Sequence, residues 1–332
     1  MKNVKLSVLD LVAVGEGMTA GEAIHNSVEL AQKAEELGYE RYWFAEHHNS
    51  ASIASSATSL LIGKIAENTK TIRVGSGGIM LPNHKPLIIA EQFGTLETMY
   101  PDRIDLGLGR APGTDYATAQ ALGRNPYSAP NAFPDDIDEL LMYLGDNKGA
   151  QIHAYPGENT NIPVYILGSS LYSAELAAKL GLPYAFASHF APNYLEQAFQ
   201  IYRKNFMPSD YLAEPYTIAC VNGMAANTTE EAQKMVTSLY QYFLGIVGGA
   251  PKKLQPPVDS MKEIWTMDQR STVLASLRYT FIGDEEKVKA QLEAFIHMTE
   301  ADEIMFTSHI YDAEQRQRSY KILMSAMKSL QQ

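Results

Sequence analysis

The strongest constraint on the fold is the regular alternation of short apolar runs with amphipathic segments along the chain. Eight runs have the length and apolar character of strands, and each is followed by a segment with helical spacing. The runs are residues 4–12, 41–45, 71–74, 103–108, 163–167, 184–187, 216–221 and 303–306. This alternation predicts a parallel sheet, which is either an open doubly wound sheet or a closed barrel. The count of eight, with no second run of strands, favours an α/β fold of the (β/α)8 TIM-barrel type.

Two connections in this pattern are much longer than the others, and we interpret residues 1–332 as one barrel domain that carries both. They span about 109–162 and 245–283. In a barrel both lie at the carboxyl ends of the strands, where active sites are built. Segment 245–283, punctuated by GGAPKK and QPP, is predicted to be a lid over that site, with a decorative insertion as the alternative.

Charge and cysteine content limit the class of protein. The formal net charge of -11 argues against a surface for nucleic acid or anionic membranes. A single cysteine, Cys220, excludes an internal disulfide and a cysteine-based zinc cluster. No apolar run approaches the ~18 residues of a membrane span, and the first residues do not have the pattern of a signal peptide. The composition therefore predicts a soluble, cytoplasmic protein.

Polar residues gather where the predicted strands end. The strand ends carry Asp10, Glu46-His47-His48, Ser76-Gly77-Gly78, Gly109-Arg110, Gly168-Ser169-Ser170, Ser188-His189, Asn222-Gly223 and Thr307-Ser308-His309. The carboxyl ends of parallel barrel strands meet at one face, so these groups are expected to surround a common active site.

The stretch LGSSLYSAELAAKLG, 167–181, has the features of an anion site. A strand runs through Gly168 into a helix whose start carries Ser169, Ser170 and Ser173. Free N–H groups and the helix dipole there favour a phosphate, although Ser170 as a simple helix cap is the alternative. Arg110 follows the neighbouring strand and could complete the site, or could form a surface ion pair instead.

The stretch EHH, 46–48, allows a metal site, a general base or a buried hydrogen-bond network. Successive residues of an extended chain point to opposite sides, so His47 and His48 are not expected to chelate one ion together. Glu46 and His48 could share a side, and a metal-dependent hydrolase with His189 as third ligand is one alternative. We favour no metal, a structural role for His48, and a catalytic or ligand-contacting role for His47. The glycines of GSGG, 75–78, suit either a flat ligand or an ordinary exit from a strand.

Four separated segments of the chain resemble the bacterial luciferase-like, flavin-dependent monooxygenases, and in particular their non-luminescent, single-component branch. They are YWFAEHH, VGSGGIMLPNHKPLIIAEQ, YPDRIDLGLGRAPGTD and ILGSSLYSAELAAKLGLPYAFASHF, in that order. The match is close in the amino-terminal half and resumes in the fourth segment. It becomes weak after about residue 225.

The resemblance implies a TIM barrel that uses reduced FMN as co-substrate, together with O2, to oxygenate a small organic substrate such as an aldehyde or another apolar compound. By motif position Arg110, Ser170 and Ser173 would hold the FMN phosphate, with Gly168 and Ser169 beside it. Ser76, Gly77 and Gly78 would lie beside the flavin ring, with a cis peptide between the two glycines. His47 would be the acid–base group, positioned by Glu46 and His48.

The chain also departs from the luciferase pattern. Gly109 stands where the luciferase α chain has a reactive cysteine, so light emission is not expected. GLGRAPG, 107–113, is not a dinucleotide fingerprint, because it follows the fourth strand and has Pro112 at the third glycine position. A separate flavin reductase is therefore expected to supply the reduced FMN. The family suggests a homodimer formed through the helices after the first strands. The alternatives are a deazaflavin-dependent oxidoreductase on the same barrel and a catalytically silent flavin-binding protein.

Overall fold

The computed structural model describes residues 3–111, 115–123, 132–146 and 148–331. Within these ranges the chain forms nine strands and eleven α-helices. The strands are β1 (Lys5–Asp10), β2 (Arg41–Phe44), β3 (Arg73–Met80), β4 (Ile104–Gly109), β5 (Val164–Gly168), β6 (Tyr184–Phe186), β7 (Thr217–Ala225), β8 (Thr280–Gly283) and β9 (Glu303–Thr307). The helices are α1 (Ala20–Leu37), α2 (Thr58–Asn68), α3 (Pro86–Met99), α4 (Tyr116–Ala121), α5 (Ala132–Leu144), α6 (Leu171–Leu180), α7 (Leu195–Asn205), α8 (Thr229–Val247), α9 (Met267–Ser276), α10 (Glu285–Thr299) and α11 (Ala313–Gln331).

Eight of the strands close into a parallel barrel in the order β1-β2-β3-β4-β5-β6-β7-β9. The ring is closed at β1, where Val8 pairs with Tyr42 of β2 on one side and with Phe306 of β9 on the other. These eight strands correspond to the eight predicted runs. The prediction of a (β/α)8 barrel is therefore confirmed.

The ninth strand, β8, was not predicted. It pairs only with the end of β7, where Met224 lies opposite Ile282, while the earlier part of β7 pairs with β9. α10, which follows β8, was also not predicted as a separate helix. The predicted segment 245–283 thus contains α9 and β8, and 109–162 contains α4 and α5. Parts of the latter connection, 112–114, 124–131 and 147, lie outside the described residues.

The alternation of side chains along the strands separates two apolar layers. One layer fills the barrel and includes Leu9, Trp43, Tyr165, Cys220 and Met305, all of them buried. The other layer packs the outside of the barrel against the helices, and Val8, Tyr42, Phe44 and Phe306 belong to it. Full burial of one such side chain stabilises the fold by about 1.5–3 kcal/mol.

A buried charged network lies at the amino ends of the strands. Arg41 donates to Glu303 Oε1 at 2.8 Å, and to Asp105 Oδ2 and the Tyr165 hydroxyl at 2.7 and 2.8 Å. Tyr216 donates to the other Glu303 oxygen at 2.7 Å. These bonds tie β2, β4, β5 and β9 together at the amino end of the barrel and leave the carboxyl end for the site.

The local signals for the first helix are confirmed. Glu22 N donates to Thr19 Oγ1 at 3.2 Å, and Thr19 N donates to Glu22 Oε2 at 2.8 Å, which is the reciprocal capping box. Gly38 ends α1 with φ of 89°, a conformation that glycine adopts without a Cβ clash. Among the described residues, no helix has the length and apolar character needed to cross a bilayer.

Candidate active site at the carboxyl ends of the strands

His47 continues the inward-facing series of β2. Trp43 and Ala45 belong to the layer inside the barrel, and His47 follows at the same two-residue spacing. Its backbone N–H donates to Ser55 O at 3.0 Å, which fixes the chain just past the strand. The Nδ1 atom is buried and has no partner among the described residues. Burial lowers the pKa of His47 from its ordinary 6.5, against the opposing charge of Glu46, so the ring is mainly neutral at pH 7.

Glu46 is fully buried and turns to the other side of the strand end. Its Oε1 atom lies 2.7 Å from His48 Nε2 and 2.9 Å from His84 Nε2, and its Oε2 accepts from Met80 N at 2.9 Å. Burial alone would raise the pKa of Glu46, but the hydrogen bonds and charge of the two histidines and the Met80 N–H lower it. Glu46 therefore stays ionised and holds the end of β2 against the turn after β3, behind His47.

The hydrogen bonds of Glu46 test the alternative of a metal site formed by Glu46, His48 and His189. Glu46 and His48 share a side, as strand geometry predicts, but the partner that joins them is His84 of the PNHKP turn. The sequence did not indicate His84, because nothing in a polar turn marks one histidine as a buried-carboxylate partner. In the described part of the chain no three His, Cys, Asp or Glu side chains are grouped so that they could hold a metal ion.

The glycine-rich end of β3 packs tightly against its neighbours. The Gly77–Gly78 peptide is cis, as the resemblance implies. A Cβ on Gly77 would lie 2.7 Å from Leu9 Cδ1, and one on Gly78 would lie 2.7 Å from Gly107 O. Ser76 is buried, and its hydroxyl bonds both to Gly107 O at 2.9 Å and to Gly107 N at 3.0 Å. Ser76 thus joins β3 to β4, and the lack of side chains on the two glycines allows β3 to pack closely against Leu9 of β1 and Gly107 of β4.

The start of α6 is open. Ser170 is the N-cap residue, but its side chain makes no capping hydrogen bond. The first N–H groups of a helix have no partner within the helix, so this end can accept an anion. Gly168, Ser169 and Ser170 are all partly exposed there. Ser173 is directed elsewhere, because its hydroxyl donates to Ser170 O at 2.7 Å and lies 2.9 Å from the Tyr184 hydroxyl.

Arg110 lies at the same place. Gly109 pairs with Leu167, so the ends of β4 and β5 are side by side. The exposed guanidinium carbon of Arg110 lies 4.4 Å from the centroid of the Tyr172 ring, in the first turn of α6. The structure therefore brings together Arg110 and the open end of α6 from separate motifs.

Two further histidines lie at the carboxyl ends on the other side of the barrel. His189 follows β6 and His309 follows β9, and both are buried. Burial lowers the pKa of each, and other histidines at this end of the barrel lower it further. The sequence placed both at strand ends but considered them only as metal ligands.

The predicted lid segment lies against the loop after β1. Leu254 N donates to Val14 O at 3.0 Å, and Glu16 N donates to Leu254 O at 2.8 Å. Lys253 Nζ donates to Met18 O at 2.9 Å. The segment thus lies at the carboxyl face, and its movement stays a prediction.

Comparison with known proteins identifies the family. The model of the luciferase-like monooxygenase family matches residues 4–319. The chain belongs to the luciferase-like monooxygenases. It is 52% identical to the uncharacterized protein YvbT of Bacillus subtilis (strain 168), covering 99% of this chain and 98% of that relative. It is 47% identical to a luciferase-like monooxygenase of Escherichia coli (strain K12), with the same coverage. Apo-MsnO8 has a TM-score of 0.88 and 34% identity over 98% of both chains.

More distant structures share the barrel and carry different cofactors. A type II Baeyer-Villiger monooxygenase in complex with FMN has a TM-score of 0.69 at 16% identity, covering 98% of this chain and 97% of that one. An F420-dependent secondary alcohol dehydrogenase in complex with an F420-acetone adduct has a TM-score of 0.71 at 16% identity, covering 98% and 99%. At such identities the likeness shows the fold alone, and the two complexes show that this fold occurs with FMN in one protein and with F420 in the other.

Proposed function

We propose that this luciferase-like monooxygenase uses reduced FMN and O2 to oxygenate a small organic substrate. The observation that carries the proposal is the position of Arg110 at the open end of α6. A phosphate there would receive backbone N–H groups, the helix dipole and a charge-assisted hydrogen bond at once. FMN carries such a phosphate, and its flavin, when reduced, supplies the reaction with O2.

The residues of the chain fit this cofactor. Gly77 is partly exposed in β3, and there a flat ring would lie against the backbone of the strand. Ser169 and Ser170 are partly exposed beside the proposed phosphate position, while Ser173 supports the turn through its bond to Ser170 O. His47 faces the barrel interior with a free Nδ1 atom, so its role is to accept and return a proton there. Glu46 holds the strand end that carries His47.

Anaerobic titration tests the cofactor. Reduced FMN is expected to bind saturably, and riboflavin, which lacks the phosphate, is expected to bind more weakly. Arg110→Ala should lose about 1.5–3 kcal/mol of FMN affinity, the value of a hydrogen bond to a charged group, and should leave riboflavin affinity unchanged. Arg318→Ala is the matched control, because Arg318 lies on α11 with Glu231 3.8 Å away.

Two outcomes would contradict the proposal. Equal affinity for FMN and riboflavin would exclude the phosphate position at α6. Tight binding of a deazaflavin with no binding of FMN would assign the chain to the hydride-transfer branch of the fold. An FMN complex that consumes O2 only when a separate reductase and NADH or NADPH are present would support the expected reductase partner.

The proposal includes a homodimer. Leu60 of α2 is 74% exposed and Ile88 of α3 is 45% exposed, so the helices after the second and third strands present apolar side chains. Light scattering is expected to give twice the chain mass for the wild type. Leu60→Glu should shift the protein towards the monomer, and an unchanged dimer would exclude this face.

A further inference from the structure

The mouth of the barrel has two chemically different halves. The half formed by β3, β4 and β5 carries Gly77, Gly78, Arg110 and the start of α6, and the proposed cofactor occupies it. The other half is formed by β6, β7 and β9. We define the histidine pocket as the side chains of His189, His309, Asn222 and Tyr242 in this second half, with His47 at its border.

The elements position this group closely. Asn222 of β7 pairs with Thr307 of β9, two residues before His309. Its Nδ2 donates to His189 O at 2.7 Å, which links the end of β6 to β7. Because the amide nitrogen faces His189 O, the amide oxygen Oδ1 faces away from it. The ring of His309 stacks on Tyr242 of α8 at 4.8 Å with an interplanar angle of 27°.

Several polar atoms of the pocket are buried without a protein partner. His189 is 8% exposed, His309 is 4% exposed and Asn222 is fully buried. Among the described residues, no partner reaches His189 Nδ1, either ring nitrogen of His309, or Asn222 Oδ1. A buried polar atom that is left without a partner destabilises the fold. Four such atoms on three neighbouring side chains require partners from outside the chain, which water or a polar ligand can supply.

The pocket is electrically neutral. Burial lowers the pKa of His189 to about 3 and that of His309 to about 4, so both rings are uncharged at pH 7. Arg316, the cation that acts on His309, is already paired with Asp10 at 2.7 Å. Among the described residues, a carboxylate in the pocket would therefore meet no cation that lacks a carboxylate partner, and it would have no hydrogen to donate to Asn222 Oδ1.

We propose that the histidine pocket binds the substrate through an uncharged amide. The amide carbonyl accepts a hydrogen bond from an imidazole N–H, and the amide N–H donates to Asn222 Oδ1. This inference rests on the proposed function, since it names the substrate class of the same site. A site built to pair with a donor and an acceptor rejects an analogue that lacks one of them, because a buried group is then left unpaired.

Three probes of equal chain length test the pairing, namely hexanamide, hexanoate and N,N-dimethylhexanamide. Calorimetry on the full protein with FMN is expected to show hexanamide binding at least tenfold more tightly than either of the others. His309→Phe and Asn222→Leu should each reduce hexanamide affinity at least tenfold. His25→Phe is the matched control, because His25 has a side chain that is 72% exposed on α1.

Histidine-labelled NMR gives a second reading that does not depend on turnover. Hexanamide should shift the His189 and His309 resonances of the wild type and leave that of His25 unchanged. If His309→Phe does not fold, His309→Gln replaces it. The changes in the wild-type histidine resonances then still test the inference without any variant. Equal binding of hexanoate, or no response to hexanamide at millimolar concentration, would overturn the inference. FMN titration on the same sample separates this failure from that of the cofactor assignment.

Discussion

The proposed role of His47 depends on its pKa, which burial lowers and the charge of Glu46 raises. The ring follows the inward-facing side chains of β2, and burial disfavours its protonated form. His47→Gln is expected to lower turnover by ~10²–10⁴-fold, the usual contribution of a positioned acid or base. FMN affinity should stay within about twofold, because the phosphate is proposed to lie at α6. Parallel measurement of turnover and flavin affinity checks this, and a variant with full turnover would exclude the role.

The pH dependence of turnover follows from the same pKa. His47 has a pKa below 6.5, so the neutral form that accepts a proton is populated from below that value upwards. The acidic limb of kcat/KM is expected below pH 6.5, with a plateau through pH 7–8. In His47→Gln this limb should disappear. A limb that stays in the variant, or that lies above pH 6.5 in the wild type, would assign the titration to another group.

Glu46 and His48 are expected to act on stability more than on the reaction. The Glu46 carboxylate binds two imidazoles and the Met80 N–H inside the protein. Glu46→Gln should cost about 1.5–3 kcal/mol of unfolding free energy, since a buried charged acceptor is lost. Urea unfolding measures the cost, with His47→Gln as the comparison. Greater loss of turnover than of stability would instead make Glu46 a direct participant.

The sequence predicted that His47 lies on one side of the strand end and that Glu46 and His48 lie on the other, because this separation depends on local geometry alone. Two-residue alternation separates His47 from Glu46 and His48 without any knowledge of the rest of the fold. The partners His84 and Met80 could not be predicted in the same way, since they meet Glu46 only when β3 lies beside β2. The pairing of His189 with Asn222 likewise depends on the order of strands around the barrel.

At the scale of elements, α3 approaches the chain after α5 without space for a side chain. A Cβ on Gly94 would lie 2.0 Å from Gly157 Cα, so backbone meets backbone there. Gly94→Ala is expected to destabilise the protein by about 1–3 kcal/mol through overpacking. Gly21→Ala on α1 is the control, because its nearest neighbour would be Thr19 Oγ1 at 3.9 Å and alanine favours the helix. Thermal unfolding of both variants checks the difference, and equal effects would contradict it.

The elements that the sequence predicted well have strong local signals. α1 has a capping box and a terminal glycine, and α3 begins at Pro86. β8 has no such signal, since it contains four residues and, in the described structure, pairs with the last four residues of β7. Periodicity of apolar residues identifies an element by the face that it buries. A strand of four residues that pairs with the end of another strand is too short to show such a period. The segment before the last barrel strand was therefore interpreted as one lid.

The predicted lid can be tested as an element. Segment 251–258 is bonded to the loop after β1, and Val258 N donates to Thr237 Oγ1 of α8 at 2.8 Å. Limited proteolysis is expected to cut 245–260 before the barrel helices, and reduced FMN should slow the cut. Thr237→Val, which removes the acceptor, should speed it. Equal cutting with and without FMN would mean that this segment does not close over the cofactor.

For the whole molecule, closure of the barrel places the polar network and the site at opposite ends. Arg41, Asp105 and Glu303 satisfy one another at the amino end. The carboxyl end instead collects polar atoms on His47, His189 and His309 that have no partner in the part of the chain that the structure describes. Eight strand–helix units could be counted in the sequence, so the closed ring was predictable. Whether the polar side chains at one end of the barrel are hydrogen-bonded to each other depends on contacts across the ring. These contacts are known only from the structure.

The buried histidines make the stability of the whole protein sensitive to acid. His189 and His309 have pKa values of about 3 and about 4 in the folded protein, below the 6.5 of an exposed histidine. Between pH 6.5 and 4 the unfolded chain binds protons that the folded protein does not, so stability is full above pH 6.5 and falls with decreasing pH. At pH 5 each histidine is expected to account for about 2 kcal/mol of lost stability.

Urea unfolding at pH 7.5 and pH 5 measures this loss directly. The double variant His189→Phe, His309→Phe should lose less stability between the two pH values than the wild type, because neither phenylalanine binds a proton in the unfolded chain. His25→Phe should retain the wild-type difference, since His25 is exposed in the folded protein. The comparison uses the change with pH, so a general effect of the new side chains on packing cancels. Equal losses in the double variant and the wild type would show that carboxylates alone set the acid limit.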